Sequence, residues 1–108
     1  MTKHRKIVFA WLLAVGLAGC ESMKSGAPAV NPEMAQVAAA NGEPVETLAI
    51  GRRLLATRCT SCHSLEPISK YTSAQWRANV LRMAGRARLN DAETRQVTAY
   101  IVAARESL

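Results

Sequence analysis

Cys59-Thr60-Ser61-Cys62-His63 is the stretch of this sequence that predicts most about the fold and its chemistry. If it forms a turn of helix, the two cysteines and the histidine share one face, because residues three and four apart are neighbours on a helix. Two thiols beside an imidazole are the groups that attach a c-type haem and bind its iron. The stretch therefore predicts Cys59 and Cys62 as covalent haem attachment sites and His63 as an axial iron ligand.

Two other chemistries also use a Cys-x-x-Cys pair, namely structural zinc and thiol–disulfide exchange. A zinc site needs further ligands, but the sequence contains no second Cys-x-x-Cys pair, and no histidine follows His63. Thiol–disulfide exchange leaves His63 without a role, and it is typical of folds in which strands alternate with helices. The sequence favours haem, with these two as the alternatives.

Composition points to one small domain that needs help to form a core. The chain has 108 residues, which suits a single domain. Hydrophobic residues make up 49% of it, but many lie in the first twenty positions, and aromatic residues make up only 5%. A covalently held haem would supply the missing apolar surface.

The basic charge does not indicate a nucleic-acid partner. The formal net charge is +6, and three of these positive charges, Lys3, Arg5 and Lys6, lie at the N-terminus. From residue 20 onward the chain has 11 Lys and Arg and 8 Asp and Glu, so the net charge of this part is +3. These charges are scattered, whereas nucleic-acid binding requires a dense basic patch.

The first nineteen residues have the pattern of a signal peptide. Residues 1–6 are basic and residues 7–17 are apolar, a length that is short for a transmembrane helix. The segment ends in Leu17-Ala18-Gly19-Cys20, which resembles a bacterial lipobox and predicts Cys20 as the lipidation site. The alternative is an ordinary secretory signal, with Cys20 as an unrelated thiol.

Export agrees with the haem interpretation, because c-type haem is attached outside the bacterial cytoplasm. We therefore predict a lipid-anchored protein on a membrane that faces the periplasm. Glu21 follows the cysteine, where aspartate is the familiar signal for retention in the inner membrane. The outer membrane is accordingly favoured slightly over the inner one.

A flexible linker is predicted over residues 20–44. Three of the four prolines of the chain lie there. Helix-forming residues allow a brief helix from Pro32 to Ala40, which Asn41-Gly42 would end. Fully extended, the linker would reach roughly 80 Å.

Residues 45–108 are predicted to form an all-α domain with three helices. The first runs from residue 46 to about 57, the second begins with a capping box at Thr72, and the third begins with another at Asn90. Residues with helical spacing define an apolar face on the second helix (Trp76, Val80, Met83 and Ala87) and on the third (Val97, Tyr100, Ile101 and Ala104).

Gly51 lies inside the first of these helices, where glycine costs about 1 kcal/mol relative to alanine. Close approach of another helix would explain it. We predict that Gly51 packs against the last helix near Tyr100 or Val97.

Together, Gly51, the Cys59 to His63 motif, Met83 and the helix of Tyr100 resemble the small bacterial class I c-type cytochromes. The resemblance covers residues 45–108. It implies a compact cytochrome c fold of three to four helices around one covalently bound haem c. It also implies that Met83, the only methionine after His63, is the second axial iron ligand.

Histidine and methionine ligation implies a six-coordinate iron with no open position, which suits an electron carrier rather than an enzyme. The implied partners are redox proteins, such as a dehydrogenase, reductase or oxidase, and the membrane through the lipid. Two alternatives stay open: a haem c subunit of a larger periplasmic dehydrogenase or oxidase, and a gas-binding sensor in which Met83 does not hold the iron.

Overall fold

Four α-helices and one short 3₁₀ helix form the part of the chain that the structure, a computed structural model, describes, namely residues 26–60 and 64–108. The α-helices are α1 (Pro32–Ala40), α2 (Glu46–Arg58), α3 (Ser73–Met83) and α4 (Asp91–Glu106), and the 3₁₀ helix is Ile68–Lys70. No strand occurs in these residues, so the all-α prediction is confirmed for them. The signal peptide over residues 1–19, Cys20, Cys62 and His63 lie outside the described residues.

The predicted capping boxes start α3 and α4. The Thr72 hydroxyl accepts from the Gln75 backbone N–H at 3.1 Å, and the Gln75 side chain accepts from the Thr72 N–H at 2.9 Å. Asn90 and Glu93 form the same reciprocal pair, at 2.7 Å and 3.0 Å. Each box satisfies two N–H groups that a helix start would otherwise leave without partners.

α4 is the central helix of the described region and contacts α1, α2, α3 and the 3₁₀ helix. Its buried residues are Val97, Ala99, Tyr100, Ile101, Val102, Ala103 and Ala104. The same core also contains Leu48, Leu54 and Leu55 of α2 and Trp76 and Val80 of α3.

The crossing of α2 and α4 confirms the prediction for Gly51. A Cβ atom at this position would lie 2.8 Å from the Tyr100 Cβ and would also overlap the backbone of Gln96. Only a residue without a side chain lets the two backbones come this close.

α1 lies in the stretch predicted as a flexible linker, and it is packed onto the domain. Asn31 caps it by accepting from the Met34 N–H at 2.8 Å. Met34 is 1% exposed and Ala38 is 2% exposed. The predicted brief helix is therefore present, and its buried side chains belong to the core, because Met34 and Ala38 are one turn apart on the same face.

Within the described residues, no helix combines the length and the hydropathy needed to cross a membrane.

Candidate haem site

An apolar cavity lies between α2, α3 and α4, beside the start of the Cys59 to His63 motif. It brings together two of the predicted site residues, Cys59 and Met83. The other lining residues are Leu55, Leu65, Glu66, Trp76, Val80, Leu89 and Ile101. Side chains from three helices and two loops thus converge on one mainly apolar space.

Cys59 stands at the point where α2 ends. Its backbone N–H donates to the Leu55 carbonyl at 3.3 Å, which makes it the C-cap of that helix. The side chain is half-buried, and burial raises the pKa of the Cys59 thiol above its ordinary value. A reactive thiol in disulfide exchange normally has a lowered pKa, because the thiolate is the nucleophile. The surroundings of Cys59 thus do not favour that chemistry.

Met83 is the last residue of α3. Val80 and Trp76 lie on the same face of the helix, one turn and two turns earlier respectively, and both are buried. Because this face packs towards the core, it brings the half-buried Met83 to the wall of the cavity that Cys59 also lines. The thioether is a soft, polarisable group of the kind that binds haem iron.

A tight turn after Met83 places Leu89 in the cavity wall. The Ala87 N–H donates to the Met83 carbonyl at 2.9 Å, and the Leu89 N–H donates to the Ala84 carbonyl at 2.9 Å. Arg88 adopts φ 58°, a left-handed conformation that redirects the chain at the end of the turn. Sequence reasoning did not find Leu89, since it belongs to no periodic pattern.

Arg58 connects the elements around the cavity. One of its guanidinium nitrogens donates to the Arg88 carbonyl at 2.9 Å, and another lies 3.5 Å from the Glu93 carboxylate. It therefore ties the end of α2, next to Cys59, to the turn after α3 and to the first turn of α4. No sequence signal marked this residue, because its partners are 30 or more positions away.

Trp76 closes the cavity from the side of the 3₁₀ helix. Its indole N–H donates to the Ile68 carbonyl at 2.8 Å, and its ring packs edge-on against Tyr71 with centroids 5.0 Å apart. Arg105 in turn donates to the Tyr71 carbonyl at 2.7 Å. These contacts fix the orientation of the indole relative to the 3₁₀ helix and link Tyr71 to α4.

The types of side chain that line the cavity are those that a haem c would need. Cys59 offers a thiol for a thioether bond, Met83 offers a sulfur ligand, and the walls are largely apolar. The cavity itself is about 30 Å³, which is smaller than a tetrapyrrole. Haem binding would require the cavity to widen; Leu65, Glu66 and Leu89 are among the lining residues that are partly exposed.

A larger groove, of about 410 Å³, lies between α1, α3 and α4. Charged and polar side chains line much of it, and neither Cys59 nor Met83 reaches it. Its lining residues are Ala38, Asn41, Glu43, Arg77, Leu81, Asp91, Thr94, Arg95, Thr98, Ala99 and Val102. No three His, Cys, Asp or Glu side chains come together as metal ligands within residues 26–60 and 64–108.

Comparison with known proteins identified no relative: no family model, no curated protein and no solved structure matches this chain.

Proposed function

We propose that this protein is a lipid-anchored, periplasm-facing monohaem cytochrome c that carries single electrons. The observation that carries the proposal is the common apolar cavity of Cys59 and Met83. These residues stand at the ends of two different helices, and a helix and a loop separate them in the sequence. The sequence predicts both residues as site residues independently, one from the Cys59 to His63 motif and the other as the only methionine after His63.

Each site residue has a distinct role in the proposal. Cys59 and Cys62 would hold the haem through two thioether bonds, and His63 and Met83 would bind its iron. The haem, when bound, supplies an iron that alternates between the ferric and ferrous states. If His63 and Met83 both bound the iron, they would leave no open position for a substrate, which would favour electron transfer over catalysis.

The cavity walls would influence how easily the electron is accepted. Leu55, Val80 and Ile101 are 4%, 3% and 1% exposed, so they exclude water from this space. A low-dielectric environment disfavours the more highly charged state of a buried group. Together with methionine ligation, this should stabilise the ferrous state and raise the reduction potential.

Haem attachment is tested by substituting the cysteines. We expect Cys59→Ala/Cys62→Ala, expressed with the bacterial haem-attachment machinery, to lose haem staining on a denaturing gel. Cys20→Ser is the matched control, since it removes the remaining cysteine of the chain and should retain the stain. Unchanged staining in the double variant would refute covalent attachment at these positions.

A further inference from the structure

The chain is fixed to the domain much closer to Cys20 than the predicted linker implied. Ala27 is 0% exposed, and its carbonyl accepts from the Arg52 Nε at 3.0 Å. The next carbonyl, that of Pro28, accepts both from Arg52 at 3.1 Å and from the Tyr100 hydroxyl. One Arg52 N–H, shared between two carbonyls, and the Tyr100 hydroxyl thus hold two consecutive residues of the N-terminal segment to α2 and α4.

The fixed segment begins beside the apolar cavity. Gly26 adopts φ +66°, and a Cβ atom there would lie 3.2 Å from the Leu65 Cβ, so the two residues are in contact. Leu65 is also one of the residues that line the cavity of Cys59 and Met83. The described part of the N-terminal segment therefore begins on the same side of the domain as Leu65.

A lipid on Cys20 would leave only a short free tether. Gly26 is six residues after Cys20, and six residues span at most about 20 Å. A domain of this size is roughly 30 Å across, so half of its circumference is about 45 Å. A tether of about 20 Å cannot pass around the domain to let the opposite side meet the membrane.

We propose that this attachment sets the orientation of the domain on the membrane, with the Leu65 side and the cavity edge held towards the lipid surface. The inference rests on the proposed lipid anchor at Cys20, and it adds which face of the domain meets the bilayer. Arg52 and Tyr100 are the positioning residues, because their hydrogen bonds keep residues 27 and 28 on the domain.

Orientation can be measured with a nitroxide label on the full-length, haem-loaded protein in vesicles that contain a nickel-chelating lipid. In the proposed holoprotein the haem and the lipid occupy the native cysteines, so an introduced cysteine is the single free thiol. Ala29→Cys places the label on an exposed residue next to Pro28, and Leu81→Cys places it on the groove between α1, α3 and α4. The haem is kept ferrous, since low-spin ferrous iron is diamagnetic.

We expect relaxation of the label by the nickel headgroups to be several-fold stronger at position 29 than at position 81. A Gly/Ser insertion of about twelve residues between Ser25 and Gly26 lengthens the tether to about 60 Å and should make the two positions similar. Equal relaxation in the protein without the insertion would overturn the fixed orientation.

The outcomes also separate this inference from the proposed function. If the protein carries haem and pellets with the membrane but both labels relax equally, only the orientation is wrong. If the protein with Cys20 intact does not associate with the vesicles, the anchor fails, and the orientation fails with it. A haem spectrum recorded on the same samples tests the electron-carrier proposal independently.

Discussion

Gly51 lies against Tyr100 so closely that a methyl group at position 51 would come within 2.8 Å of the Tyr100 Cβ. This contact brings the helix that leads to Cys59 against the central helix of the domain. Tyr100 is fully buried, and its hydroxyl donates to the Pro28 carbonyl on the N-terminal segment. One residue of α4 thus joins the helix crossing to the attachment of the N-terminal segment.

Gly51→Ala should destabilise the protein by about 1–3 kcal/mol, because the added methyl group meets backbone atoms that cannot turn away. Gly85→Ala is the matched control, since a Cβ there meets no atom within 4 Å. We expect thermal unfolding of the haem-loaded protein to show a lower Tm for the first variant only. A similar Tm for both would mean that the crossing is looser than described.

Tyr100→Phe should change how stability depends on pH. Burial raises the pKa of Tyr100 to about 12, whereas an unfolded tyrosine ionises near 10. The folded state therefore favours the neutral phenol, and this contribution is present below pH 10. It should be lost as the pH rises from about 10 to about 12, by about 2–3 kcal/mol in total.

Chemical denaturation at a series of pH values tests this prediction. The phenylalanine variant should lose about 1 kcal/mol at neutral pH with its hydrogen bond to Pro28. Between pH 10 and 12 its stability should then fall less steeply than that of the wild type. Parallel curves for the two proteins would show that Tyr100 is not the group responsible.

Met83→Ala should open the sixth coordination position of the proposed haem. We expect the reduced variant to bind carbon monoxide and the reduced wild type to resist it, because in the proposal the methionine sulfur would occupy that position. The reduction potential should also fall, since a thioether favours ferrous iron. Leu81→Ala is the control, as Leu81 lies on the same helix but is 69% exposed.

Absorption spectra under carbon monoxide and a redox titration provide the measurements. Ready binding of carbon monoxide by the wild type would argue against Met83 as a ligand. It would instead support the alternative of a gas-binding sensor.

Cys20→Ser should release the protein from the membrane without altering the haem spectrum. In the proposal, the acyl chains on Cys20 are what holds the protein on the membrane. Without them no lipid chain remains, and stable anchoring needs more than one chain or an additional signal. Fractionation after signal cleavage, followed by haem staining of both fractions, tests this. A processed variant that remains in the membrane fraction would contradict the lipid anchor.

Local signals in the sequence predicted the helix starts well. Thr72 and Asn90 each have a partner side chain three residues later, so the two capping boxes depend on neighbours alone. Gly51 was informative for a similar reason: its cost in an isolated helix implied a contact that the structure contains.

The packing of α1 could not be predicted with equal ease. The helix is rich in alanine and has a weak apolar face, and Met34 alone marks its buried side strongly. The segment before it is held by Arg52 and Tyr100, which lie 24 and 72 residues after Pro28. Such long-range hydrogen bonds leave no pattern in the local sequence.

The residues that line the cavity likewise divide into those that a local sequence pattern predicts and those that it does not. Met83 and Trp76 follow the helical period, whereas Leu65 and Leu89 come from loops whose path depends on the surrounding fold. The left-handed Arg88 that positions Leu89 is also not marked in the sequence, because glycine or asparagine is the usual residue there.

Covalent haem content is the measurement that tests the proposal most directly. The purified protein should be denatured in alkaline pyridine and reduced, and its spectrum recorded beside a metal analysis. We predict one haem per chain, bound through two thioethers, together with stoichiometric iron. Stoichiometric zinc without haem, or haem that organic solvent extracts from the wild type, would contradict the assignment of Cys59, Cys62 and His63.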